Sequence, residues 1–448
     1  MKAARKLRRL QQPQSLMECI RQFLTPQVWK QARHAGPKGP SLPRWDLQPL
    51  VIILLAMTWA SGDSQPEKFE TARGFYVMSY RARKRPGKTI EGFQKALSRV
   101  PMRQLKALAA GVRHQLRLRF AERLLIDGFE PMGCDGSRIE CPRSAELEAR
   151  IRLAGKNDSA PTVWVTAFVH LGTGLLWSWQ LGPGTADERK HLRRLLATLS
   201  PAALVVADAA YMGYELARSI VLSQRSFLLR MSSKVYLYTM EHAALESWNE
   251  GLVYYWPVKV REKGEPPLLC RLIRVPAKGK AKHDVWLLTD ILDPARLSKA
   301  TAAKFYRWRW RNEGVFRIYK RTVNKLKLSS RTVRLVHREA EMSLLALQIL
   351  LAHADLALRP KQTEGEPVIS PRKVLIEIRR ELNGAASRRR KSYHTRLQQC
   401  RAGSRCQTSP KATRDWPRRT PHKPPAPPII LTLTDEHKAL LYTHFDAA

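Results

Sequence analysis

Apolar positions recur at helical spacing through the first quarter of the chain: Leu16, Ile20 and Phe23, then an unbroken apolar run over 50–60, then Phe93, Leu97, Leu105 and Leu108. Basic residues are interleaved throughout, so residues 1–118 are expected to form a helical domain with a cationic outer side. From about residue 120 the texture becomes strand-like: Arg123 to Ile126, Met132 to Ile139, Val163 to His170, and Leu175 to Leu181 about a Gly172-Thr173-Gly174 turn. Three antiparallel strands are predicted here. Thr185-Ala-Asp-Glu188 reads as a capping box opening a helix whose Leu192, Leu195, Leu196 and Leu199 fall on one stripe. Residues 203–207 (Ala-Leu-Val-Val-Ala) form a short continuous apolar run, as expected of a parallel strand buried on both faces, and it ends at Asp208. A helix over 214–223 and a strand over 226–231 are predicted next.

Residues 234–284 break this order with aromatic and basic β-like pieces, notably 253–261 and 268–275, and are expected to form an inserted β-rich subdomain. An apolar strand resumes at 285–288, followed by long helical stretches over 298–326 and 333–358. The catalytic region is thereby set at 119–360 and the C-terminal region at 361–448. Beyond residue 383 the chain is rich in Arg, Lys, Ser and Pro (Arg388-Arg-Arg-Lys391, Pro424-Pro-Ala-Pro-Pro428) and poor in core formers, which predicts a basic, disordered tail.

Composition narrows the class of partner. Lys and Arg number 79 against 38 acidic residues, a formal charge of +41 on 448 residues, which calls for a polyanion and puts nucleic acid ahead of an acidic membrane surface. The apolar run at 50–60 is shorter than a bilayer span of about 20 residues, no signal peptide is readable, and a cytoplasmic, nucleoid-associated protein with no membrane partner is expected. Six scattered cysteines suit reduced thiols. Neither Cys134 with Cys141 nor Cys400 with Cys406 has zinc-site spacing.

Carboxylates carry the candidate chemistry. Asp135 lies within a strand and is followed by Gly136-Ser137-Arg138; its competitor Asp127, also before a glycine, reads more naturally as a turn residue. Asp208, at the carboxyl end of a buried strand, stands where α/β sheets form their sites. At 100° per residue, Tyr306, Arg309, Glu313 and Lys320 share an arc of about 60° on one helix, opposite an apolar back of Phe305, Trp308, Val315, Ile318 and Tyr319. An ordinary amphipathic helix with an Arg309–Glu313 ion pair has the same spacing. Three strands, a helix, a buried strand ending in Asp and a later helix with an acid make the order of a ribonuclease-H-like α/β fold. Hard oxygen ligands of this kind suit Mg²⁺ or Mn²⁺.

At these residues the sequence resembles the insertion-sequence-4 family of DDE transposases. Tyr306-x2-Arg309-x3-Glu313-x6-Lys320 matches that family's Tyr-Arg-Glu-Lys signature, and Asp135-Gly-Ser-Arg and Asp208-Ala-Ala-Tyr211 look like its first two acidic motifs. The resemblance covers about residues 120–360. It implies a cut-and-paste reaction in which Asp135, Asp208 and Glu313 bind two Mg²⁺ (or Mn²⁺) ions, and a hairpin forms on the transposon end before strand transfer. Tyr306, Arg309 and Lys320 would hold phosphates, and Tyr254, Tyr255 and Trp256 would be candidates to stack on an extruded base. The implied partners are double-stranded DNA, as transposon ends and target, and a second copy of the chain in a homodimer assembled on DNA. Two other readings remain open: a catalytically inactive or domesticated relative, and a basic nucleic-acid-binding protein without enzymatic activity.

Overall fold

The computed structural model describes residues 13–37, 45–80, 85–151, 159–233, 235–277, 283–358, 369–384, 391–402 and 427–445. The N-terminal region is helical, as the spacing predicts: α1 (Leu16–Phe23), α2 (Pro26–His34), α3 (Leu47–Trp59), α4 (Gln65–Ser79), α5 (Ile90–Arg99) and α6 (Met102–Arg119). Short polar side chains start most of them. Ser15, Thr25, Asp46 and Thr89 each accept a hydrogen bond from a first-turn N–H, and Ser64 with Glu67 forms a full capping box. The run over 50–60 is almost entirely buried within α3.

The strand predicted over Arg123 to Ile126 is absent. A one-turn helix α7 (Ala121–Leu124) stands there, and Ile126 bridges Phe129 across Asp127 and Gly128. Both central residues have positive φ (50° and 83°), the conformation of a type I′ turn. Asp127 is therefore the turn residue its sequence suggested, and it is paired with Lys304 at 2.5 Å.

Next come β1 (Glu130–Glu140), α8 (Ala145–Ile151), β2 (Thr162–His170), β3 (Leu175–Pro183), α9 (Glu188–Leu195), β4 (Ala203–Ala207), α10 (Tyr214–Leu222) and β5 (Ser226–Arg230). β1 pairs antiparallel with β2, and β2 with β3, whereas β4 is parallel to both β1 and β5. Residues 235–277 contribute β6 (Tyr236–Thr239), β7 (Glu250–Tyr255), α11 (Val258–Arg261) and β8 (Leu268–Val275), and β9 (Val285–Thr289) follows. The β-rich character is as expected, but these strands do not form a sheet of their own. They extend the first one through β9 and β5, giving, with β10 (Ile429–Thr432) at the far edge, the order β10-β6-β7-β8-β9-β5-β4-β1-β2-β3. Residues 258–261, expected to be β-like, turn into α11 after Pro257, which has no N–H to donate to a ladder.

The helical stretch predicted over 298–326 is not one helix. It divides into α12 (Lys299–Trp308), α13 (Trp310–Arg317) and a π-turn over Ile318–Thr322. At the junction the bonds tighten to i→i−3, from Arg309 N to Tyr306 O (3.1 Å) and from Asn312 N to Arg309 O (3.0 Å). α14 (Val333–Leu358) follows. Its residues Val333–Ala357 are long and apolar enough to cross a membrane, yet 94% of its most apolar window is buried inside the protein, against α3, α5, α6 and β3. Burying each large aliphatic side chain contributes about 1.5–3 kcal/mol, so this helix anchors the N-terminal helices to the sheet.

The disordered tail is corrected in part. α15 (Pro371–Leu382), α16 (Tyr393–Gln398), β10 (Ile429–Thr432) and α17 (Asp435–Phe445) are formed. Tyr393 and Leu397 are buried against α14, and β10 adds to β6 in parallel. Apolar residues at short helical and strand spacing between the basic runs suffice for these elements. Residues 388–390 and 424–426 of the quoted basic and proline runs lie outside the described residues.

Arg396 holds this end in place. It is 5% exposed and donates to Glu377 (2.9 Å) and to Glu381, whose other oxygen accepts from Leu16 N at 3.1 Å. Arg396→Ala leaves two carboxylates buried with fewer partners, and is expected to cost about 3–5 kcal/mol in denaturant unfolding. A loss under about 1 kcal/mol would show that α16 is not docked on the N-terminal helices.

Candidate active site

The site follows from strand register. Gly133 of β1 stands opposite Val206 of β4 in parallel pairing, so two residues further along both strands Asp135 stands beside Asp208. Neighbouring strands lie about 4.8 Å apart. Side chains alternate, so the two faces can be assigned. Met132, Cys134, Val205 and Ala207 belong to the main core, while Leu204 and Val206 pack with Phe305 and Tyr306 of α12. Asp135 and Asp208 continue the second set and face the side covered by α12 and α13.

Both aspartates are half-buried and use one oxygen locally. Asp135 Oδ1 accepts from Gly136 N (2.8 Å), and Asp208 Oδ1 accepts from Ala210 N (3.0 Å) as it caps a 3₁₀ turn over Ala209–Tyr211. Burial pushes the Asp135 carboxyl up to about 6. The Gly136 N–H opposes that rise, the Asp208 and Glu188 carboxylates add to it, and Arg309 opposes it.

Glu188 is a carboxylate acting on Asp135 from the other face of the sheet that sequence reasoning did not single out. The capping box assigned to Thr185 is displaced, because Asp187 caps α9 by accepting from Arg189 N (2.9 Å) and Lys190 N (3.3 Å). Glu188 thus becomes the first helical residue and turns toward β1. A Cβ on Gly136 would lie 2.9 Å from its carboxyl carbon and one oxygen, and 2.7 Å from Trp164, so glycine is required there by close approach. Burial raises the Glu188 carboxyl, with Asp208 adding to the effect and Tyr211 and Arg138 opposing it. No spacing rule points to Glu188; its only sequence signal is an acid in a first helical turn.

The four residues placed on one helical arc are separated by the junction and the π-turn. Tyr306 (9% exposed) and Arg309 (6%) are buried, while Glu313 is exposed. A 3₁₀ step advances about 120° per residue and a π step less than 100°, so the phase calculated for a continuous α-helix does not carry from Tyr306 to Lys320. Arg309 lies over the rings of Tyr306 (5.6 Å) and Trp310 (5.0 Å). Lys320 is half-buried, and the carboxylate acting on it is Glu140, at the far end of β1 from Asp135. Trp256 is 1% exposed with its indole N–H donated to Glu265 O at 2.8 Å, so in this conformation it offers no face to a base; Trp310, 60% exposed, does.

Glu313 reaches the site through its neighbours. α13 packs on β1 and β2, and Arg311 pins it by donating to the carbonyls of Leu171 and Gly172. The fully buried Asn312 amide fills the space where a Cβ on Gly133 would sit, 2.7–2.9 Å from its polar atoms. Among the described residues no three His, Cys, Asp or Glu side chains stand close enough to hold a metal ion, so the Glu313 carboxylate is not gathered to the aspartate pair. The surroundings nevertheless suit a charged ligand. Arg309 Nε and both amide atoms of Asn312 are buried without hydrogen-bond partners, which costs about 1–3 kcal/mol each until something pairs with them. Two adjacent carboxylates are hard donors of the kind Mg²⁺ and Mn²⁺ prefer.

A mixed sheet with three antiparallel strands, two parallel ones beside them and paired aspartates at matching levels is consistent with a ribonuclease-H-like phosphoryl-transfer domain. Residues 134–349 match the family model for the transposase DDE domain, a span that includes Asp135, Asp208 and Glu313. No curated protein matches the chain. Among solved structures, a piggyBac transposase in a synaptic complex with hairpin DNA is similar over 90% of this chain and 88% of that one, with 11% sequence identity and a TM-score of 0.44.

The raised Asp135 carboxyl gives a measurable signature. Between about pH 4 and pH 6 the folded chain keeps a proton that the unfolded chain has released, so stability falls as pH rises through that window. Asp135→Asn is therefore expected to stabilise the metal-free protein at pH 7 by about 1–3 kcal/mol, with the gain vanishing below about pH 4. Mg²⁺ should raise the unfolding temperature of the parent and not of the variant. Equal stability of the two proteins at both pH values would contradict the environment described for Asp135.

Proposed function

We propose that the chain is the transposase of a bacterial insertion sequence, which binds the element's ends and catalyses metal-dependent strand cleavage and strand transfer by a cut-and-paste route through a hairpin on the transposon end. The observation that carries this reading is the nearness of Asp135 in β1 to Asp208, just past the end of the adjacent parallel strand β4, inside the segment that matches the transposase DDE domain. The helical N-terminal region, 1–118, would hold DNA, 119–360 would perform the chemistry, and two copies would assemble on DNA to bring the two ends together.

In this mechanism Asp135 and Asp208 would hold the cations, and Glu313 would complete the set as DNA docks against α13. Divalent ions at that position would activate the attacking oxygen and stabilise the leaving one. Arg309, buried beside the aspartates with an unpaired Nε, is placed to fork onto a phosphate, and Asn312 has both an amide donor and an acceptor to give. Glu188, approaching β1 from the opposite face, holds negative charge close to Asp135 and so favours a bound cation there. Lys320 meets backbone phosphate further along β1 as a point charge. The net charge of +41 would bring the polyanion in.

Asp135→Asn, Asp208→Asn and Glu313→Gln are each expected to abolish Mg²⁺-dependent cleavage of an end-bearing duplex while DNA binding persists, as read by gel shift and nicking assays in parallel. Cleavage surviving in Asp208→Asn rejects the assignment. Full binding and no cleavage by the unsubstituted chain would favour the inactive or domesticated reading. Lys320→Ala should lower the slope of log Kobs against log salt by about one unit. An unchanged slope would place Lys320 off the DNA.

A further inference from the structure

The cationic surface continues past Lys320. The π-turn packs against α15, and between them opens a cavity of about 490 Å³ whose walls include Arg321, Asn324, Arg372 and Arg379, with Leu375 and Ile376 as apolar flank. Among the described residues no carboxylate lines it, and none of the three arginines forms an ion pair; Arg379 uses its Nε on the Trp59 carbonyl (3.0 Å). Asn324, in the left-handed region at φ 57°, turns the chain at this point. An adjoining cavity of about 230 Å³ shares Asn324 and Arg379 and adds Lys68 and Lys325 against the single carboxylate Asp63; Lys325 is already paired with Glu339 at 2.7 Å. Three guanidinium groups line one cavity without a counter-charge, an arrangement that a bound anion would complete. A volume of this order admits a sugar-phosphate unit.

The position of the cavity indicates which anion. Lys320 acts on Glu140, five residues beyond Asp135 on β1, or about 16 Å along the strand. Arg321 is the next residue. The cavity therefore lies beyond the Glu140 end of β1.

We propose that this arginine-lined cavity is a binding site for the phosphodiester backbone of the DNA strand that crosses Asp135 and Asp208, gripping it to one side of the bond to be cut. This rests on the reading of the chain as a DNA-cutting transposase. Arginine suits the task because its planar fork matches two phosphate oxygens at once. The grip fixes the register of the strand over the carboxylates and carries no sequence preference of its own.

The test uses the full chain and a duplex of mixed sequence, with binding followed by fluorescence anisotropy across a salt series. Arg321 and Arg372 are both exposed, so replacing them spares the core. The double variant Arg321→Ala/Arg372→Ala is expected to lower the slope of log Kobs against log salt by about 0.9 for each phosphate no longer neutralised, roughly one to two units altogether, and Arg321→Lys/Arg372→Lys to retain most of it. An unchanged slope in the alanine variant overturns the proposal. So does an unchanged slope accompanied by inorganic phosphate protecting the parent, and not the variant, against thermal unfolding, which would make the cavity a free-anion site. A parent chain that binds the duplex without ever cutting it removes the catalytic reading and leaves the cavity's slope test intact; failure to bind duplex at any salt concentration removes both.

Discussion

The parallel pairing of β1 with β4 is the constraint on which the rest depends. Parallel strands cannot be joined by a tight turn, so after β1 the chain adds β2 and β3 to the same sheet and then crosses back to β4 through α9. That path determines which helix reaches which face. It also fixes the level at which Asp135 and Asp208 meet, because slipping either strand by one residue would turn its carboxylate to the opposite side. The half-buried acidic pair is an electrostatic burden, visible in the raised Asp135 carboxyl, and the apolar runs of β1 and β4 must hold their register against it.

Behind this pair the protein is built for rigidity. α14 has no face that could meet water over most of its length, so it forms only when the N-terminal helices, β3 and the C-terminal helices close around it. In front, the construction is looser. α12 and α13 meet at a tightened turn, Asn312 and Arg309 keep unpaired polar atoms, and Glu313 is exposed to solvent. A stiff sheet holding two acids, faced by a jointed helix carrying a third, allows the looser element to shift without disturbing the core.

The sequence reveals those parts of the fold in which one physical signal dominates. The run over 203–207 reads as a doubly buried strand, and the alternation through β1, β2 and β3 marks three neighbouring strands, so the places of Asp135 and Asp208 are legible from the chain alone. The helix junction is hidden because Trp308-Arg309-Trp310 contains neither Pro nor Gly; the tightening there comes from packing, which buries Tyr306 and Arg309 together. Trp256 looks like a reader of bases because it ends an aromatic run, but its indole N–H is spent on a backbone carbonyl beside the extended half of the sheet. The C-terminal elements are masked by basic flanks that outweigh a few apolar residues, such as Tyr393, Leu397 and Ile429 to Leu431. Glu188 leaves no pattern at all, since only three-dimensional proximity to Gly136 distinguishes it from any acid in a first turn.

The docking of α16 has a consequence for how the molecule comes into being. Tyr393 N and His394 N donate to the carbonyls of Gln14 and Pro13, and Glu381 receives Leu16 N, so the first helix is closed by residues made almost four hundred positions later. Contacts of such long sequence separation are slow to form, and during synthesis the apolar face of α1 is covered only in part, first by α6, until α15 and α16 have left the ribosome. The nascent chain must therefore carry α1 half-clothed through the making of everything up to α16.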